Sequence, residues 1–257
     1  MIRQVTVRAS SARAPIDDSD AVASAGRRHR GVLVLAAITA LIVAGDLAVK
    51  GYHRYVQPVP GDVVIVLNVG SEANVAAWWN TTLLLAVACM GVVAMVLAGP
   101  GARPSRGSWL ALIVAATCLS LDEAARIHER LGVPVQNWAN DHGVRMPTFA
   151  WVLPGTLIAV VGVVCAVLWV RSLPRDLRIG LLGALAMYLT GALVVEAING
   201  WTKRQGASAA YVLGTSFEET LEMGACLVAL VVLSRAVALT RDRGTGGWSI
   251  RLREDLR

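Results

Sequence analysis

Charge is scarce in this chain. Only 16% of its 257 residues are Asp, Glu, Lys or Arg, where a soluble domain carries roughly 25%. The four cysteines, Cys89, Cys118, Cys165 and Cys226, form no CxxC pair, which excludes a thiolate zinc site and a disulfide framework and leaves them as small buried hydrophobes. No GxSxG, Walker A loop, Gly-rich dinucleotide loop or HExxH occurs, so the common hydrolase, nucleotide and zinc-protease signatures are missing. With four histidines, a membrane hydrolase of the alkaline ceramidase type, which needs several around zinc, is also short of ligands. There is no internal repeat, and residues 1–26 lack the apolar core of a signal peptide.

What is present is apolar. Residues of the AVILMFWYC set make up 55% of the chain and the mean hydropathy is +0.57. Runs near the roughly 20 residues needed to cross a hydrocarbon core recur at Gly31–Ala48, Val75–Ala98, Ser108–Arg126, Thr148–Val170, Ile179–Asn199 and Leu213–Arg235. None shows the ten-residue alternation of a membrane barrel. The expected fold is therefore all-α, an integral membrane bundle of six transmembrane helices. Pro154 falls in the fourth span, where neighbouring helices are expected to satisfy a freed carbonyl. Residues 1–30 read as a disordered cytoplasmic tail, 31–236 as the membrane domain and 237–257 as a cytoplasmic C-terminal tail of similar character.

Placing both termini in the cytoplasm puts 17 of the 24 Lys and Arg residues on one side, as the positive-inside rule favours. The basic balance then follows from topology and points to a cell membrane, not to nucleic acid. Trp78, Trp79, Trp151 and Trp201 would mark the outer interface, and Trp109 and Trp169 the inner one.

Polar residues then gather in the outer half. Asp46, Lys50 and His53 end the first span; Asn80, Thr81 and Thr82 begin the second; "LSLDEAARIHERLG" ends the third. Glu196 and Asn199 close the fifth, and "TSFEETLEMG" opens the sixth. Water at helix ends accounts for Glu129, Arg130 and Lys203. It fits Glu196 and the Glu218–Glu222 run poorly, because a carboxylate inside a span costs about 2.5–3.5 kcal/mol and should face the interior with a partner.

Helical spacing limits what can cooperate. On an unbroken third helix Asp122, Arg126 and Glu129 share a stripe, Glu123 lies about 100° round from Asp122, and His128 cannot share an ion with Glu123 unless the helix loosens before Gly132 and Pro134. On the sixth, Thr215, Glu218, Glu219 and Glu222 form an acidic face. Carboxylates and an imidazole on several helices are the ingredients of a di-iron or di-manganese site, although the usual pair of Glu-x-x-His motifs is missing. His128, His53 and His142 are the candidate imidazoles, in that order. The same residues would serve a proton- or cation-coupled transporter with Arg126 or Lys50 as counter-charge, and a membrane sensor or assembly factor is a third class.

The pairing of "LSLDEAARIHERLG" with "FEETLEMGA" resembles a family of small bacterial polytopic membrane proteins, some of them similar to the membrane hydrazine oxygenase of azoxy natural-product (valanimycin-type) pathways. That resemblance implies N-oxygenation of a hydrazine by a non-haem metal centre in antibiotic biosynthesis. It points to Asp122, Glu123, His128, Glu129, Glu218, Glu219 and Glu222; Glu196 is added for its apolar surroundings and is outside that pattern.

The expectation is thus a metal-dependent monooxygenase. Glu123, His128, Glu129, Glu196, Glu218, Glu219 and Glu222 supply ligands to iron, possibly di-iron. Asp122 orients the histidine and Arg126 balances charge or grips substrate. Its partners would be the lipid bilayer, a small nitrogen-containing substrate and an unidentified electron donor. The outer segment Tyr55–Glu72 has an apolar centre and is either a cover for the site or an interfacial loop.

Overall fold

The computed structural model describes residues 18–70, 74–241 and 248–256. The helices are α1 (Asp18–Tyr55), α2 (Gly61–Leu67), α3 (Val75–Leu97), α4 (Arg106–Ala125), α5 (Ile127–Asp141), α6 (Val152–Val170) and α7 (Arg175–Leu189). A π-helical turn, Thr190–Val195, carries α7 into α8 (Glu196–Arg204), and α9 (Ser208–Ala236) follows. Strands β1 (Val237–Arg241) and β2 (Trp248–Leu252) form one antiparallel hairpin. The fold is all-α apart from that hairpin.

Five helical segments are long and apolar enough to cross a membrane: Arg30–Tyr55, Val75–Leu97, Arg106–Ala125, Val152–Val170 and the α7–α8 unit Arg175–Arg204. They coincide with the first five expected spans to within a few residues, except that the first and fifth run longer. At 29 residues α9 has the length, but Glu218, Glu219 and Glu222 set it apart in composition.

α9 is the hub. It packs against α1, α3, α7, α8 and the π turn, and its Met223, Cys226, Leu230 and Leu233 join Leu83, Val87, Trp109 and Leu177 in the main core. Large apolar side chains on α6, including Leu157, Ile158, Val161 and Val164, face outward, as lipid-facing residues should when the surrounding solvent is hydrocarbon.

Several local expectations change. Pro154 sits in the first turn of α6, where its missing N–H has no intrahelical partner to lose, so no carbonyl is freed. Trp79 and Trp109 are buried core residues, whereas Trp78 and Trp201 are exposed. Cys226 is buried as expected, but Cys89, Cys118 and Cys165 are exposed on the outside of the isolated bundle. Residues 18–30 continue α1, and residues 1–17 lie outside the described residues. The C-terminal segment is no loose tail: Leu252 and Leu256 are buried against the core that contains Ala98, Ala102 and Trp109, and Arg253 forks onto the Asp176 carboxylate at 2.7 and 3.0 Å.

Candidate metal centre

The expected third helix breaks within its own motif. Arg126 adopts the left-handed conformation with φ 56° and ψ 47°, ending α4 and starting α5. Asp122 makes the break workable. Its Oδ1 accepts the backbone N–H of His128 at 2.7 Å, one of the orphan donors of a helix start, while Oδ2 lies 2.9 Å from His128 Nδ1. The single stripe of Asp122, Arg126 and Glu129 therefore does not exist. Arg126 pairs instead with Glu129, both of them over 40% exposed, and this pair stays outside the buried cluster. The break turns His128 inward, so that its ring lies 4.6 Å from that of Trp151.

Trp151, read from sequence as an interfacial residue, donates from Nε1 to Glu196 Oε1 at 3.2 Å. Glu196 follows the π turn directly, a device that re-aims the residues after it and recurs at functional sites. Its carboxyl also lies beside that of Glu218. Asn199 Nδ2 donates to Glu218 Oε2 at 2.6 Å. Two missing side chains make this packing possible. A Cβ on Gly214 would overlap the Asn199 amide, and one on Gly191 would lie 3.1 Å from both Glu218 O and Glu222 Cγ.

Deeper in, near the middle of α9, Glu222 is 7% exposed and accepts from Asn80 Nδ2 at 3.3 Å. Glu123 of α4 is also hydrogen-bonded to Asn80. Cys226 Sγ approaches Asn80 Oδ1 at 3.7 Å. Glu219 lies within electrostatic reach of Glu123, Glu196 and Glu222, and its Oε2 is buried without a hydrogen-bond partner. The structure thus brings Glu123, Glu196, Glu218, Glu219 and Glu222 together from α4, α8 and α9, with His128 at the edge.

Next to Glu219 is a second polar group. Asp46, fully buried, pairs with Lys50 Nζ at 2.8 Å; Ser216 Oγ donates to Asp46 Oδ2 at 2.6 Å and accepts from Lys50 at 2.7 Å. Asp46 Oδ1 also accepts Val69 N–H at 3.0 Å. That bond pins the end of the Tyr55–Gly70 segment, whose apolar centre forms α2. Glu72 lies outside the described residues. His53 accepts from Val59 N–H and His142 stacks on Trp138, so neither joins the cluster. His29 has no described side chain.

Asn80, Tyr188, Trp151, Ser216 and the Asp46–Lys50 pair were missing from the set expected for the metal. Tyr188 lies within electrostatic reach of Glu222 and Glu123. Asn80 and Lys50 stood out in the sequence as polar residues at the right ends of their spans; Trp151 stood out only as an interfacial tryptophan, and Tyr188 carried no signal of its own.

The donor set suits a hard or borderline cation: carboxylate oxygens and one imidazole whose Nε2 is left to ligate, because Nδ1 is committed to Asp122. The buried, unpartnered Oε2 of Glu219 fits the same purpose. As the side chains stand, however, no three His, Cys, Asp or Glu among the described residues form a ready-made ligand group.

The model of one family, described as Domain of unknown function (DUF8692), matches residues 31–237. The chain belongs to the DUF8692 family. The match covers α1 from Gly31 through α9 and therefore the whole acidic cluster of this DUF8692 member; the hairpin begins where it ends. Neither a curated protein nor a solved structure matches the chain.

Proposed function

We propose that this DUF8692 protein is an integral membrane, metal-dependent oxidoreductase whose acidic cluster holds one or two iron ions. α9 would be the sixth span and both ends would be cytoplasmic. The observation that carries the proposal is the convergence of five glutamates from three helices beside one imidazole among the described residues. Lys50, the nearby cation, is already occupied by Asp46. Buried carboxylates without counter-charge are costly, and a bound cation offsets that cost.

Glu123, Glu219 and Glu222 would hold the metal, with His128 Nε2 and Glu196 beside them. Bound there, non-haem iron supplies O₂ activation and oxygen-atom transfer. The chain's own residues do the rest. Asp122 fixes the His128 ring, Asn80 orients Glu123 and Glu222, and Trp151 and Asn199 hold Glu196 and Glu218. The apolar walls of α3 and α9 exclude water. The motif resemblance supports a small hydrazine as substrate, oxygenated at nitrogen by one atom of O₂ while two electrons from a separate donor and two protons reduce the other atom to water.

A proton- or cation-coupled transporter is the second reading, favoured by the neighbouring Glu196 and Glu218 carboxyls and by the buried Asp46–Lys50 pair beside Glu219. Against it, the hairpin packs Leu252 and Leu256 into the bundle core at the opposite end. The deciding measurement is the metal content of detergent-purified protein beside Glu222→Ala. Near-stoichiometric iron or manganese, lost in the variant, is expected. No transition metal after growth in supplemented medium would overturn the metal reading in favour of transport.

A further inference from the structure

A second site lies apart from the acidic cluster. Where α8 ends, the loop between α5 and α6 folds over it and leaves an open cleft of about 530 Å³. Arg145 and Arg204 line it together with Gln136, Asn140, Gln205 and Trp201. Its charge is one-sided. None of the lining residues is a carboxylate, and among the described residues neither arginine has an ion-pair partner. Arg204 gives one Nη2 bond to the Thr148 carbonyl at 3.1 Å; Arg145 stays exposed at the rim. Two guanidinium groups with unused donors are suited to an oxyanion, above all a phosphate, which each can grip with parallel N–H bonds.

The position is as informative as the charge. Arg204 is the last residue of an apolar segment long enough to cross a membrane, and Trp201, one turn earlier, is 52% exposed. A tryptophan and basic residues at the end of a span are what the headgroup level of a bilayer selects. The three side-chain amides of Gln136, Asn140 and Gln205 add neutral donors and acceptors, which suit hydroxyls next to the phosphate.

From this geometry we infer that the cleft binds a phosphate-bearing anion, and that a phospholipid headgroup with free hydroxyls, such as phosphoglycerol, is the ligand class it fits. The cleft shares no lining residue with the acidic cluster, so the inference stands or falls independently of the metal.

The test uses the full chain in detergent. Native mass spectrometry would follow titration with phosphatidylglycerol, with phosphatidylcholine and with inorganic phosphate. The comparison proteins are Arg145→Gln and the double variant Arg145→Gln/Arg204→Gln. Among the described residues the Arg145 side chain makes no hydrogen bond, so the single variant tests the site even if the double variant misfolds. Expected is binding of phosphatidylglycerol about tenfold or more tighter than phosphatidylcholine, weakened roughly tenfold by Arg145→Gln. Inorganic phosphate that competes fully with the lipid would assign the site to a soluble phosphate and not to a headgroup. Equal binding of the two lipids with no phosphate binding, or no change in Arg145→Gln, would overturn the inference.

Discussion

Trp151 and Glu196 meet across the bundle, indole Nε1 to carboxylate Oε1 at 3.2 Å, and the same indole packs on the His128 ring. One side chain therefore links the polar pair at the α4–α5 break to the acids on α8 and α9. Trp151→Phe keeps a ring against His128 but removes the donor to Glu196. A buried acceptor left unsatisfied costs about 1–3 kcal/mol. The expected outcome is a lower unfolding midpoint in detergent, together with reduced metal retention. An unchanged midpoint would mean that water replaces the indole.

Gly214 tests how tightly α9 must approach α8. Alanine gains about 1 kcal/mol over glycine in a helix interior, so a stabilised Gly214→Ala is the default expectation for an open helical position. Here the added methyl would overlap the Asn199 amide, which donates to Glu218. Overpacking of about 1–3 kcal/mol plus a lost bond to a buried carboxyl outweighs the propensity gain. Gly214→Ala should unfold earlier than the parent, and Gly214→Ala/Asn199→Ala should recover part of the methyl's cost but not the Glu218 bond. A Gly214→Ala protein as stable as the parent would show that Asn199 can move aside.

Much of this architecture was legible in the sequence, because hydrophobic runs report directly on helices that must satisfy their own backbone in lipid. That Glu196 and the Glu218–Glu222 run need partners was legible for the same reason: an acid amid apolar neighbours needs company. Convergence itself was not, since helix order around the bundle leaves no trace in periodicity. A loosening of the third helix before Gly132 was one of the alternatives the spacing left open, but its place at Arg126 was not legible. A non-glycine residue in the left-handed region is rare, and nothing in "DEAARIHER" marks it until Asp122 is seen capping the following helix. The hairpin escaped notice because a short, polar-rich tail says little about packing until Leu252 and Leu256 are found in the core.

The His128–Asp122 contact makes stability depend on pH. Burial works against the charged imidazole, but the Asp122 carboxylate at 2.9 Å, helped by Glu129 and Glu196, outweighs it and raises the His128 pKa above its ordinary value. A folded-state pKa above the unfolded one contributes stability that is fully present below about pH 6.5 and is lost as pH rises through the folded pKa. The parent should therefore lose stability relative to His128→Ala as pH rises above about 6.5. Parallel midpoint-against-pH curves for the two proteins would remove the imidazolium from the account.

Among the contacts that hold the C-terminal segment to the bundle, a forked ion pair and a buried leucine differ enough in magnitude to rank. Arg253 and Asp176 make a forked pair, but their side chains are 31% and 48% exposed, and such surface pairs contribute about 0–1 kcal/mol. Leu256 is fully buried, and truncating a core leucine to alanine costs about 2–5 kcal/mol. If the hairpin is part of the folded core, Leu256→Ala should lower the unfolding midpoint well beyond Arg253→Ala, and Leu252→Ala should behave like Leu256→Ala. Salt should erase the small Arg253 effect and leave the leucine effects intact, because exposed charges are screened and apolar burial is not. The reverse order, with Arg253→Ala the more damaging, would mean that the hairpin is held by its charges and only rests against the bundle.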